Sequence, residues 1–268
     1  MVTFTSSGGT ARLCYKCDML WLKQSKLPIS AEQSDWVDQI FVRLAEMLGA
    51  ERLLDAKVMT PTVDCFPDVY DGSESSLQPM FNRVARAMQV NPDDVEVSIF
   101  REDYGLTREI TPLFSGSTPG AGGVYYHDPS STAQISINAE KLKDPASLVA
   151  VLAHELGHFL LLRPGLVERD CPDMEPMNDL LTVFLGFGIF TANAAFSFRQ
   201  FTDFQSQGWS ARRLGYLPEE MFGYALARFA HERQEAKPTW ASLLNRNVAS
   251  YMKRSSQWLV SNHKPRLF

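Results

Sequence analysis

An apolar run between residues 149 and 160 constrains the fold of this chain more than any other feature. Its only polar side chains are His154, Glu155 and His158. The two histidines are four residues apart, which places them one turn apart on the same side of a helix. Because the rest of the run is apolar all round, the pattern predicts a buried helix.

Three polar side chains on a buried helix need partners, since burial without them costs roughly 1–3 kcal/mol each. One alternative is a pair of hydrogen-bonded histidines with Glu155 in a salt bridge. A metal ion bound by both imidazoles satisfies the same groups, and Gly157 leaves room beside the second histidine. We expect the metal to be zinc, because neutral imidazoles and one carboxylate in an open tetrahedral site suit it. Glu155 is then the expected base for a metal-bound water.

A third protein ligand is needed for such a site. The extended three-histidine motif is excluded, because Pro164 stands where its last histidine would be and Leu161 replaces its glycine. The downstream candidates are Glu168, Asp170, Cys171, Asp173, Glu175 and Asp179. We expect Glu175, which opens a second buried helix, with Asp179 accepting the spare N–H of a ligating histidine. An exposed loop acid at Glu175 and a plain helix-start charge at Asp179 are the alternatives.

The composition of the chain is that of a globular protein with a sizeable core. It has 268 residues, of which 45% are hydrophobic and 21% charged, and a net charge of −5. The basic residues are dispersed, so we expect no nucleic-acid partner. The N-terminus lacks the charged and apolar regions of a signal peptide, which favours a cytoplasmic location. We expect ordinary thiols at Cys14 and Cys17, with a redox or shared metal role as the alternative.

The uncharged run from Leu180 to Phe198 is long enough to be a membrane-span candidate. Small residues such as Gly186 and Gly188 suit close packing against another helix, and no second span exists to form a bundle. We therefore expect a buried core helix and no membrane association. A membrane-attached enzyme is the alternative.

The remaining pattern predicts an α+β fold that is mostly helical, with a small mixed sheet. Helices are expected after the Ser30 capping box, after Ser73, from Pro145 to Leu162, through the apolar run that begins near Glu175, and after Pro218 and Pro238. Strands are expected at 95–99, 124–127 and 133–138. Residues 1–90 are interpreted as an N-terminal helical extension packed on a metal-binding domain at 91–268. The boundary is weak, and a single domain is the alternative.

The sequence His154-Glu155-Leu156-Gly157-His158, followed by Glu175 and Asp179, resembles the gluzincin group of zinc metallopeptidases, the thermolysin-like clan, and uncharacterised bacterial proteins with a zincin-like core. The resemblance covers roughly residues 124–200. It implies that His154, His158 and Glu175 bind zinc, that Glu155 is the general base, and that Asp179 lies behind a histidine.

The same resemblance implies a mixed sheet whose edge strand, just before the motif helix, holds an extended peptide substrate. Residues 133–138 are the matching segment. Ile135 and Ile137 are then expected to face the core, with Gln134, Ser136 and Asn138 on the substrate strand.

A zinc-dependent hydrolase, most simply a metallopeptidase acting on a peptide or protein, is the function expected from these residues. The reaction needs a second donor for the developing oxyanion. Tyr224 and His231 share a helix face with Arg228 and are the candidates, with His127 as a rival. A half-buried tyrosine and a surface histidine without such a role are the alternatives. The alternative function is a non-catalytic zincin-like domain whose metal serves structure or partner binding.

Overall fold

The structure of this protein is a computed structural model that describes residues 26–101, 122–126, 132–203 and 217–268. The predictions for Cys14, Cys17 and His127 lie outside these residues. The described helices are α1 (Ala31–Leu48), α2 (Glu51–Leu54), α3 (Leu77–Ala87), α4 (Pro145–Leu162), α5 (Met174–Phe184), α6 (Gly188–Asp203), α7 (Glu219–Glu232) and α8 (Arg246–Ser261). The strands are β1 (Val95–Phe100), β2 (Gly123–Tyr126) and β3 (Ala133–Asn138). The α+β, mostly helical class is therefore confirmed.

The helix that carries the histidine motif begins and ends where the sequence predicts. Asp144 accepts hydrogen bonds from the backbone N–H groups of Ala146 and Ser147, and Pro145 occupies the first turn. The helix ends at Leu162, just before Pro164. Along its length α4 packs against α3, α5, α6 and the sheet, which explains why it is apolar on all sides.

The sheet is mixed, as predicted, but its strand order is β1-β3-β2. β3 pairs in parallel with β1 and antiparallel with β2, so it is the central strand. Ile135 and Ile137 are buried, as expected. The prediction that residues 133–138 form a substrate-binding edge strand is wrong, because both edges of β3 are already paired.

The side chains assigned to that substrate strand have local partners instead. The Ser136 hydroxyl hydrogen-bonds with Ser98 on β1 at 2.9 Å. Gln134 donates to Glu96 on the same neighbouring strand. Asn138 caps the turn after the strand by accepting the backbone N–H of Glu140 at 3.0 Å. These contacts tie the three side chains to the neighbouring strand and to the following turn rather than to the histidine motif.

The long apolar run after residue 174 forms two helices rather than the predicted single one. α5 ends at Phe184 and α6 begins at Gly188. Gly186 between them has φ +86°, and its carbonyl accepts the backbone N–H of Met59 at 2.9 Å. A left-handed residue ends a helix and is favourable only for glycine, and the chain turns there.

Within the described residues, α4 is the one helix long and apolar enough to cross a membrane by length and composition. Of this helix, 72% is buried inside the molecule, as in the core helix of a soluble protein. The helices before residue 90 belong to the same hydrophobic core, which runs from Ile29 to Leu259. α1 packs on α5 and α7, and α3 packs on α4, so the N-terminal helices support both motif-bearing helices directly.

Candidate metal centre

Two helices bring three potential ligands together at the histidine motif. His154 and His158 of α4 and Glu175 of α5 have ligand atoms that all lie within 4.8 Å of one another. No other group of three such side chains is found in the part of the chain that the structure describes. Glu175 Oε2 lies 3.0 Å from His154 Nε2, and its Oε1 lies 3.5 Å from His158 Nε2. The predicted third ligand therefore lies beside both histidines.

Asp179 lies behind His154, as the sequence predicts. Its Oδ1 is 3.0 Å from His154 Nδ1, while its Oδ2 accepts the backbone N–H of Leu217 at 2.8 Å. A hydrogen bond at Nδ1 orients the ring and leaves Nε2 directed at the cluster. Because Asp179 is only 3% exposed, the contact is protected from water.

The charges in the cluster stabilise one another. Burial lowers the pKa of His154, but hydrogen bonds to Asp179 and Glu175 outweigh burial and raise that pKa well above its ordinary value. For Glu175, burial raises the pKa, and hydrogen bonds from the two histidines outweigh it and lower that pKa far below its ordinary value. Two imidazole nitrogens and an ionised carboxylate form a donor set that suits zinc. The residues present therefore fit this metal.

Glu155 lies between α4 and β2, close enough to His154, His158 and Glu175 for their charges to act on it. It is buried, and burial raises the pKa of its carboxyl, while the charges of His158 and His154 and the backbone N–H of Tyr125 lower that pKa only in part. A methyl group placed on Gly123 would lie 2.9 Å from Glu155 Cγ and 3.0 Å from Oε1. Absence of a side chain at Gly123 thus makes room for Glu155. A buried carboxylate with a raised pKa suits a proton acceptor.

Sequence reasoning missed Gly123 and Tyr125 on β2. The Tyr125 ring stacks on His158 with a centroid distance of 6.4 Å and also meets Phe159 edge to face. Strand alternation was the available signal, because residues 123 and 125 must face the same side. Only the packing of β2 against α4 shows that this side of the strand faces the histidine motif.

Asn178 was missed as well, and it corrects the interpretation of Gly157. The side chain of Asn178 is fully buried, and its amide donates to the backbone carbonyl of His154 at 2.8 Å. A methyl group on Gly157 would lie 2.0 Å from Asn178 Oδ1. The space at Gly157 is therefore occupied by Asn178 rather than reserved for His158.

The structure does not bring the predicted oxyanion donors to the cluster. Tyr224 is fully buried, and its hydroxyl donates to Asp38 at 3.0 Å. His231 Nε2 lies 3.0 Å from the carbonyl of Lys264. The residue just before α7's cap, Leu217, reaches the centre by donating its N–H to Asp179, but His231 lies roughly 20 Å further along at 1.5 Å per residue. The shared face predicted from spacing exists, but it faces α1 and the C-terminal segment.

The other candidate ligands also lie apart from the cluster. Asp173 accepts a hydrogen bond from the indole N–H of Trp36, which ties α1 to the start of α5. Glu168 and Asp170 are exposed on the loop between α4 and α5, and Cys171 is a half-buried free thiol. Glu175 is the acid that reaches the histidines because α5 begins beside the motif helix.

Comparison with known proteins does not identify a function for this chain. The chain matches no protein-family model, no curated protein and no solved structure. The resemblance to gluzincins therefore rests on the sequence motif of His154, Glu155, His158, Glu175 and Asp179. Their geometry is compatible with metal binding beside a buried carboxylate.

Proposed function

We propose that this protein is a zinc-dependent hydrolase with a zincin-like core, most simply a metallopeptidase of the gluzincin type. The observation that carries the proposal is the meeting of His154, His158 and Glu175 beside the buried Glu155. A purely structural metal site needs ligands but has no use for an additional buried carboxylate. We keep the cytoplasm as the expected location.

His154, His158 and Glu175 are the residues that would hold the metal. Zinc bound there would supply a Lewis acid that lowers the pKa of a water and polarises a carbonyl group. Glu155 takes the proton of the attacking water and passes it to the leaving amine. Asp179 keeps the ring of His154 in one orientation through Nδ1.

Among the described strands, β2 lies on the side of β3 away from β1 and packs against the motif helix. Gly122 accepts the backbone N–H of Asn138 at 2.9 Å, and Gly123 lies opposite Ile137. In an antiparallel pair the backbone groups of alternate residues point at the partner strand. Those of Gly123 and Tyr125 therefore point to the outer edge of β2, the side on which Glu155 meets the Tyr125 N–H.

A Glu155→Gln variant tests the proposal, because glutamine keeps the size of the side chain and removes its basicity. Metal analysis of both purified proteins should find one zinc per chain. Mass spectrometry of a broad peptide mixture should show cleavage by the wild type and a loss of about 10²–10⁴-fold in the variant. A Glu175→Ala variant should bind zinc more weakly than either.

Three outcomes separate the alternatives. A wild type that binds no stoichiometric zinc contradicts the metal centre itself. Zinc in both proteins with no cleavage by either would favour the non-catalytic zincin-like domain. Equal cleavage by wild type and Glu155→Gln would remove Glu155 from the reaction.

A further inference from the structure

Asn178 and Gly157 are in direct contact where the two helices of the metal centre pack together. Gly157 lies between Glu155 and His158 on α4, and Asn178 lies between Glu175 and Asp179 on α5. Asn178 Oδ1 occupies the place where a side chain at position 157 would begin, since a methyl group there would be only 2.0 Å away. The missing side chain at Gly157 thus lets α5 approach α4 to this distance.

The hydrogen bond from Asn178 Nδ2 fixes the position of Asn178 along the axis of α4. It ends at the backbone carbonyl of His154, 2.8 Å away, in a fully buried environment. A carbonyl oxygen has two lone pairs and can accept this bond in addition to its helical one. The amide therefore anchors α5 to the same residue whose ring contacts Glu175 and Asp179.

Stability alone does not explain an asparagine at this position. Among the described residues, Asn178 Oδ1 has no hydrogen-bond partner although it is buried. A buried acceptor without a partner is unfavourable, and an apolar side chain of the same shape would avoid that cost. Leucine has nearly the shape of asparagine. The amide is better explained by what its N–H group positions.

We propose that Asn178 is a positioning residue of the metal centre. Held in the space left by Gly157 and bonded to the His154 carbonyl, it sets the separation and register of α4 and α5. At this register Glu175 reaches both histidines and Asp179 reaches His154 Nδ1. The inference rests on the proposed metal binding, but it concerns a residue that is not a ligand.

The experiment measures Zn²⁺ affinity by competition with a chelator and the visible absorption spectrum of the Co²⁺-loaded protein. Asn178→Leu keeps the shape of the side chain and removes the donor. It should bind Zn²⁺ about 10–100-fold more weakly, as expected when a partner behind a ligand is lost, and its Co²⁺ spectrum should change. Asn178→Ala, which leaves more room, is the second variant in case the leucine protein does not fold.

A double-mutant cycle tests the contact itself. Gly157→Ala should weaken Zn²⁺ binding because its methyl group displaces Asn178 Oδ1. Gly157→Ala combined with Asn178→Ala removes the overlap, so the double variant should bind Zn²⁺ more tightly than Gly157→Ala alone. Simple additivity of the two effects would contradict direct coupling between the positions.

Gly223→Ala on α7 is the matched control. Its methyl group would meet Tyr251 Cβ at 2.4 Å, a comparable overlap outside the centre. It should lower the melting temperature and leave the Zn²⁺ affinity and Co²⁺ spectrum unchanged. If the wild type binds no Zn²⁺, the proposed function fails and this inference with it. If the wild type binds Zn²⁺ and Asn178→Leu matches it in affinity and spectrum, only the positioning role is overturned.

Discussion

At the scale of single residues, the centre depends on how closely neighbouring backbones approach. Gly123 makes room for Glu155 between β2 and α4, and Gly157 makes room for Asn178 between α4 and α5. Neither glycine has a positive φ, so close approach, and not an unusual backbone conformation, accounts for both. Small residues at such contacts determine where the larger functional side chains lie.

Gly123→Ala is expected to displace the proposed base. Its methyl group would lie 2.7 Å from Val151 Cγ1 and 2.9 Å from Glu155 Cγ, so Glu155 must move. We expect the free energy of unfolding to fall by about 1–3 kcal/mol from overpacking. Zinc content should stay the same, and peptide cleavage should fall in kcat more than in KM.

Val124→Ala is the control for that prediction, because Val124 is the next residue of β2 and points to the other face of the strand. It should retain the kcat of the wild type. Chemical denaturation, metal analysis and cleavage kinetics on the three proteins provide the measurements. An alanine at 123 that leaves both stability and kcat unchanged would show that Glu155 does not lie against this strand.

At the scale of secondary-structure elements, the turn between α5 and α6 is where the long apolar run changes direction. Gly186 combines a left-handed backbone with a close contact, since a methyl group would lie 2.5 Å from the carbonyl oxygen of Lys57. Met59 donates its N–H to the Gly186 carbonyl. The loop after α2 is therefore attached to the turn. The left-handed backbone at residue 186 and the close approach to Lys57 both favour glycine.

Gly186→Ala should therefore destabilise the protein more than Gly165→Ala. Gly165 also has a positive φ, +70°, but a methyl group there would meet nothing within 4 Å. Gly165→Ala should lower the free energy of unfolding by about 1–2 kcal/mol, the penalty for placing alanine in the left-handed conformation. Gly186→Ala should lower it further, because its methyl group also overlaps with the Lys57 carbonyl. Urea denaturation of both variants gives the comparison, and equal losses would mean that the turn can move away from the Lys57 segment.

At the scale of the whole molecule, a buried charged network joins α1, α7 and the C-terminal segment. Arg228 is 1% exposed and pairs with Asp38 of α1 and with Glu232. Arg228 also donates to the carbonyl of Pro265, and Glu232 accepts the N–H of Leu267. Buried charges are tolerated when each is paired in this way. The network holds together parts of the chain that are distant in sequence.

Glu232 should make the stability of the protein depend on pH. Burial raises the pKa of Glu232 above its ordinary value of 4.5, and the N–H of Leu267 and the charge of Arg228 offset this only in part. As pH rises from 4.5 toward the raised pKa, the unfolded chain loses this proton while the folded protein keeps it. The folded state then binds more protons, so this group lowers the free energy of unfolding as pH rises.

Glu232→Gln keeps an acceptor for Leu267 and removes this titration. We expect the free energy of unfolding of the variant, minus that of the wild type, to increase with pH above about 4.5 and then become constant. Urea denaturation between pH 4 and 8 measures the difference. Glu220→Gln is the control, because Glu220 is a half-buried acid in the first turn of the same helix, two turns before Arg228. A difference that decreases with rising pH would contradict the raised pKa.

What the sequence determined by itself is local. The Asp144 cap and Pro145 set the start of α4, and the four-residue spacing puts His154 and His158 on one face. The alternation around Ile135 predicts a strand with one buried face. Such features depend on residues within about one or two turns or strand periods of each other, so they can be read from the printed order of residues.

What only the tertiary structure decided involves partners far apart in the chain. β3 is central because β1 and β2 both pair with it, which its own residues do not encode. Tyr224 bonds with Asp38, which is 186 residues away, and not with the metal cluster. Asn178 reaches Gly157 only because two helices cross there. Alternation and helical spacing show which residues share a face, but which element covers that face is determined by packing of the whole chain.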